Sequence, residues 1–188
     1  MKTLIIQTSP CHTASTFLIN ALYGLIPELN NTKIIGFWNE NHEDDETYNF
    51  EKYFNDIIVI KCHNINIDNL ISKYSNYKLY FVCSERKDTE NTEVIDTKYK
   101  LYNNVVVFDF NELNETDDNT IPKIIQNIYN KIQGLNINTD TNTNIDLNIE
   151  SGINRITLMN KRYQEIKHLP FSYIDDFYEI HGSHRNRK

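Results

Sequence analysis

A short apolar strand that runs into a hydroxyl-rich loop and then straight into a helix constrains this chain more than any other feature. Thr3-Leu4-Ile5-Ile6-Gln7 reads as the strand, and Thr8-Ser9-Pro10-Cys11-His12-Thr13 breaks it. An apolar helix follows from Ala14 through Tyr23. The first amides of a helix have no partners inside it. The helix dipole adds positive potential at the same end, so such a junction attracts anions. Thr13, Ser15 and Thr16 bring hydroxyls to it. No G-x-x-x-x-G-K-[ST] run is present, so the signature of ordinary kinase and ATPase chemistry is missing. Two readings stay open here: the hydroxyls merely cap the helix, or they join the amides in cradling a phosphate or sulfate.

The rest of the chain alternates in the same way. Residues 33–38, 56–63, 78–83 and 104–110 are apolar runs that predict strands, the second and third of them buried on both faces. Residues 39–46 are acidic and read as a solvated loop. Asp68 is placed to cap a short helix reaching about Tyr74. A longer helix opens at Ile121, with Thr120 near its cap, Pro122 in its first turn and Gly134 at its stop. Its apolar positions Ile121, Ile124, Ile125, Ile128, Tyr129 and Ile132 have helical spacing. Strands alternating with helices predict a parallel α/β sheet whose ligand sits at the carboxyl ends of the strands. The polar groups 11–13, 61–63 and 84–87 fall at three such ends.

Length and charge narrow the field. At 188 residues the chain is expected to be one domain. It divides into an α/β core over 1–135, a flexible Asn/Thr-rich loop over 136–150, and a helical extension with a basic tail over 151–188. Within that extension residues 153–168 read as helix, stopped by Pro170, and the aromatic run 171–178 is expected to pack back on the core. A net charge of −7 argues against nonspecific nucleic-acid binding. No secretory signal and no long apolar run is visible, which predicts a cytoplasmic protein without a membrane partner. The three cysteines, Cys11, Cys62 and Cys83, are odd in number and irregularly spaced. They predict no disulfide framework, and the set Cys11, His12, Cys62 and His63 lacks C-x-x-C spacing for zinc or thiol redox work. Buried filler is the expected role of the thiols, with no metal site.

Lys61-Cys62-His63 carries the clearest chemistry. Residues two apart on a strand share a face, so Lys61 and His63 project together. An imidazole that titrates near neutrality can remove a proton while an ammonium neutralises developing charge. The plainer alternative is a surface lysine beside a strand-end histidine bonded to a loop carbonyl.

Taken together, the segments resemble the sulfotransferase family. Thr8-Ser9-Pro10-Cys11-His12-Thr13-Ala14-Ser15-Thr16-Phe17-Leu18 is similar to its 5′-phosphosulfate loop, T-Y-P-K-S-G-T-T-W-L. Val59-Ile60-Lys61-Cys62-His63 is similar to its V-I-K-T-H strand. Leu79 through Asp88 stands where that family carries V-x-R-N-P-K-D, which binds the 3′-phosphate. The resemblance covers residues 1–135 as a shortened domain. It implies a three-layer parallel sheet of P-loop-like nucleotide-binding topology, and 3′-phosphoadenosine 5′-phosphosulfate (PAPS) as donor, without a required metal. The acceptor it implies is a hydroxyl or amine on a small molecule, glycan or peptide. Carried over by position, Thr13, Ala14, Ser15 and Thr16 would hold the 5′-phosphosulfate and His63 would be the general base. Lys61 would sit near the transferring group, and Ser84 with Arg86 would meet the 3′-phosphate. The chain departs from the pattern where Cys11 or His12 replaces the loop lysine, Ala14 replaces the loop glycine, and Ser84 takes the arginine's place. His12, His184, Arg185 and Arg187 are the remaining expected phosphate donors. Trp38, Tyr48, Phe50, Tyr53 and Phe54 are candidates for an acceptor pocket or, equally, for core and lid.

Overall fold

The computed structural model describes residues 1–10, 13–26, 32–37, 49–63, 66–87, 92–113, 119–135, 137 and 147–166. Five strands pair in parallel: β1 (Thr3–Thr8), β2 (Thr32–Phe37), β3 (Ile57–Cys62), β4 (Lys78–Lys87) and β6 (Val105–Asp109). Their order across the sheet is β2-β3-β1-β4, with β6 on the far side of β4. The short β5 (Thr92–Glu93) pairs antiparallel with the end of β4. Helices α1 (Ser15–Leu25), α2 (Ile67–Lys73), α3 (Phe110–Leu113), α4 (Ile121–Gln133) and α5 (Ile149–Ile166) complete the order.

Three layers follow from strand alternation. Ile5, Val59, Tyr80, Val82 and Phe108 point to one face, where α1, α4 and α5 cover them. Leu4, Ile6, Ile58, Ile60 and Phe81 point to the other, beneath Ile67 and Leu70 of α2 and Tyr99. Every residue of β1 and β3 is buried, as continuous apolar runs in the middle of a covered parallel sheet require. The α/β parallel architecture expected from the sequence is therefore present. Among the described residues no helix is long and apolar enough to cross a membrane.

Helix ends depart from expectation in informative ways. Asn66, not Asp68, caps α2, its side chain accepting from the Asn69 amide at 3.1 Å. Asp68 sits in the first turn and takes Lys98 Nζ at 2.7 Å and the Tyr102 hydroxyl at 3.0 Å instead. At α4 the five isoleucines are buried as their spacing predicts and Pro122 lies in the first turn, but Thr120 makes no side-chain capping bond. Gly134 does end α4, yet in right-handed geometry at φ −62°, by giving its amide to Asn130. Asn148 starts α5 earlier than expected, its side chain accepting from the Ser151 amide at 2.9 Å. Residues 149 and 150 thus belong to helix rather than loop. This helix is a full member of the layer, with Ile156 and Met159 buried in the core shared with α1 and α4. The stretches 39–46 and 138–146 and residues 167–188 lie outside the described residues.

β4 is longer than its apolar run. The sequence places a strand end at Cys83, whereas β4 continues through Lys87 and pairs with β6 as far as Glu85↔Asp109. Burying Glu85, at 5% exposure, in that continuation requires compensation. Lys100 Nζ at 2.6 Å, Lys87 Nζ at 2.9 Å and the Ile95 amide at 3.3 Å provide it. Burial pushes the Glu85 carboxyl up, but these three donors outweigh burial and hold it below the usual glutamate value. A lowered carboxylate stabilises the fold above its unfolded pKa, and that contribution disappears as pH falls through the lower folded value. Glu85→Gln is expected to cost about 1 kcal/mol in urea unfolding at neutral pH, since it removes the charge facing Lys100 and the half-exposed Lys87. The difference from wild type should shrink as pH drops below about 4.3; a constant difference across the acid range would contradict this role.

Candidate functional site

The strand order fixes where a ligand belongs. From β1 the chain crosses to β2 on one side of the sheet, and from β4 it goes to β6 on the other. Neighbouring parallel strands that diverge in this way open a crevice at their carboxyl ends. The loop after β1, the start of α1, and the ends of β3 and β4 meet at that crevice. Alternation puts Gln7, Lys61, His63, Ser84 and Arg86 on the face that α1 covers.

A knot of hydroxyls joins the loop to β4. The Ser84 amide donates to Ser9 Oγ at 2.8 Å, and the Ser84 hydroxyl donates to the same oxygen at 2.9 Å. The Thr13 hydroxyl lies 2.9 Å from Ser84 Oγ and donates to the Pro10 carbonyl at 2.9 Å. Gln7 Nε2 donates to Ser9 Oγ at 2.7 Å. All of these side chains are fully buried. Among the described residues Gln7 Oε1 is the buried side-chain atom left without a hydrogen-bond partner. Thr13 and Ser84, both expected at the anion site, are thus brought together, but with their hydroxyls engaged in holding the loop.

The turn into α1 is the second element. Ala14 is the residue before the helix and adopts left-handed geometry, φ 61° and ψ 25°. Its carbonyl accepts the first helical bond, from Leu18 N at 3.0 Å, and as an alanine it supplies no side-chain cap. The amides of Ser15, Thr16 and Phe17 therefore have no intrahelical acceptor. Ser15 and Thr16 are themselves buried.

Lys61 is the third element, and it is fully buried. Its Nζ donates to Thr16 Oγ1 at 3.3 Å, which sets an ammonium from β3 against the first turn of α1. The loop has no glycine–lysine pair, so a neighbouring strand supplies the cation there. His63 Nδ1 is 2.9 Å from the Ser9 carbonyl. A carbonyl only accepts, so Nδ1 carries the hydrogen and the lone pair of the neutral ring is on Nε2. This is the strand-end histidine on a loop carbonyl that the sequence left open.

Other expected residues are placed differently. The Arg86 guanidinium lies over the Phe110 ring, 4.4 Å from its centroid, at the start of α3. His12, His184, Arg185 and Arg187 lie outside the described residues, as do Cys11, Trp38 and Tyr48. Cys62 and Cys83 are buried thiols, not joined in a disulfide, on the α2 face, opposite to His63. Burial, with Cys62 and Glu85 nearby, pushes the Cys83 thiol up, away from reactive thiolate. They are the small buried fillers that the sequence suggested. Among the described residues no group of three His, Cys, Asp or Glu side chains could hold a metal. Phe50 is core, tilted against Tyr74 at 5.3 Å between centroids, and Phe54 is fully exposed. Both precede β3 and so lie toward the amino ends of the strands, away from the crevice.

Sequence reasoning passed over Gln7, Ser9 and Asn20 as site residues. Gln7 and Asn20 carried a signal, each being a polar residue inside an apolar element. The role of Ser9 depends on β4 lying beside β1, which no local pattern announces.

No family model matches the chain, and no curated protein does. Among solved structures it is similar to the solution NMR structure of a de novo designed protein of P-loop NTPase fold. The two are 13% identical with a TM-score of 0.29, over 90% of this chain and 97% of that one. At that score the likeness carries no argument, and the topology rests on the strand order above.

The left-handed Ala14 sets a test of the loop. A non-glycine residue in that region costs about 1–2 kcal/mol. Ala14→Gly relieves it and adds backbone freedom to the unfolded chain, so a gain of up to about 1 kcal/mol in urea unfolding is expected. A loss of stability in that variant would show that the turn is not left-handed.

Proposed function

We propose that this chain binds the phosphates of a nucleotide at the first turn of α1 and transfers a sulfuryl group from PAPS to a hydroxyl or amine. The observation that carries the reading is the buried Lys61 ammonium, 3.3 Å from Thr16 Oγ1 beside a helix start whose cap position, Ala14, offers no capping side chain. An ammonium, helix amides and the positive end of a dipole together make a site for an anion. The donor chemistry of these residues fits a phosphosulfate, and none of them is a metal ligand set. In this scheme Lys61 and the Ser15 and Thr16 amides hold the transferring group and stabilise its charge. His63 Nε2 takes the acceptor's proton as the acceptor atom bonds to sulfur and the sulfur–oxygen bond to the 5′-phosphate breaks. Adenosine 3′,5′-bisphosphate leaves. The fold, the order of the three segments and the tautomer of His63 support this scheme.

A second reading is a nucleotide-binding module without turnover. The hydroxyls of Thr13 and Ser84 favour it, because both are engaged in the knot around Ser9.

Isothermal titration with adenosine 3′,5′-bisphosphate tests the binding step. Micromolar affinity is expected, and Lys61→Met should weaken it about 10- to 100-fold, the worth of a charged hydrogen bond. No heat at millimolar nucleotide would remove the proposal. His63→Ala separates the two readings. Sulfuryl transfer requires that binding persist while turnover falls by about 100-fold or more, whereas a binding module shows no turnover with either chain.

A further inference from the structure

The C-terminal helix reaches the anion site through a chain of hydrogen bonds. Arg155 of α5 donates from Nε to Asn20 Oδ1 at 3.1 Å. Asn20 is fully buried in the middle of α1 and donates from Nδ2 to the Thr16 carbonyl at 2.9 Å. Thr16 in turn holds Lys61 through its hydroxyl. Four residues on three elements therefore connect α5 to the ammonium of the crevice.

The packing of the two helices makes this connection possible. A Cβ built on Gly24 would meet Gly152 Cα at 2.7 Å and Arg155 Cβ at 3.1 Å. The backbones of α1 and α5 thus touch where both carry glycine. Asn20 lies one turn before that crossing and Arg155 about one turn after it, on helices that run past each other. The Arg155 guanidinium also lies over the Tyr23 ring at 5.1 Å, and the Tyr23 hydroxyl donates to the Ile35 carbonyl of β2 at 3.1 Å. An arginine anchored on an aromatic face presents a fixed donor, because its planar fork has little freedom left. Asn20 is an unusual choice for a helix core. An amide side chain bonding back to the carbonyl four residues earlier weakens a helix unless something else fixes it. Arg155 is that fixture, and it leaves the Asn20 Nδ2 aimed at Thr16.

We propose that Arg155 is a positioning residue that, through Asn20, holds the first turn of α1 and with it the Thr16–Lys61 contact. The inference rests on the anion-binding reading for its functional meaning, while its structural half is measured without ligand. In the full chain, amide hydrogen exchange at Leu18 and Ile19 reports the first turn directly. Arg155→Ala is expected to quicken that exchange about tenfold, as local opening becomes easier. It should also weaken adenosine 3′,5′-bisphosphate by roughly tenfold, the scale of one hydrogen bond. Asn20→Asp keeps an acceptor for Arg155 and removes the donor to Thr16. A relay predicts loosening at the same amides in that variant as in Arg155→Ala. Arg155→Lys, which retains a cation and a donor, should fall between Arg155→Ala and wild type. Arg162→Ala, on the same helix in an exposed pair with Glu165, should leave both readouts unchanged. Unchanged exchange at Leu18 and Ile19 in Arg155→Ala or in Asn20→Asp overturns the relay. Faster exchange in a chain that binds no nucleotide removes the anion-binding reading alone.

Discussion

The first turn of α1 is held by charge and hydrogen bonds on every side that matters to a ligand. Below it, the buried ammonium of Lys61 reaches Thr16 from β3. Before it, Ala14 bends into the left-handed region and offers no capping side chain of its own. Behind it, Asn20 ties the Thr16 carbonyl to Arg155 on α5. A buried lysine is costly to desolvate, and the first amides of a helix have no acceptor inside it. Under the proposed reading an anion would interact with both.

The sheet makes that convergence possible. Lys61 and Gln7 are register partners on β3 and β1, and Ser84 follows the Val82 that pairs with Gln7 on β4. Gln7 and Lys61 thereby share one level of that face, and Ser84 stands on the same face two residues further along β4. The knot of Ser9, Thr13 and Ser84 then pins the loop across the divergence of β1 and β4. On the opposite face Glu85 keeps β4 extended beyond its apolar stretch through two lysines and the Ile95 amide. Ser84 lies next to Glu85 in sequence and looks the other way. A strand that ended at Cys83 would not present it.

How much of this the residues announce depends on the range of the interaction. The strands of the core, the isoleucine face of α4 and the shared face of Lys61 and His63 all follow from local periodicity. Elements fixed by distant partners do not. Glu85-Arg86-Lys87 looks like the start of a loop because its pairing with β6 and its lysine contacts come from residues far along the chain. Asp68 looks like a cap, yet it is drawn to Lys98 and Tyr102, leaving Asn66 to do that work. The helix of residues 149–166 reads as an extension beginning only at Ile153, because the Asn/Thr-rich run before it looks like loop. A glycine belongs at 152 because a Cβ there would crowd Ile125 at 3.0 Å and Leu25 at 3.1 Å, residues far along the chain. Of the expected site, Thr13, Ser15, Thr16, Lys61, His63 and Ser84 surround the crevice, and Arg86 is stacked on Phe110.

One experiment bears on the whole account more directly than any other. Titrating isotope-labelled protein with adenosine 3′,5′-bisphosphate while following backbone amide shifts maps the bound anion onto the fold. The account predicts that the largest changes fall on Ser15, Thr16 and Phe17, with His63 following. Changes confined to the surface around Asn66, Asp96 and Tyr99, or none at all, would contradict it.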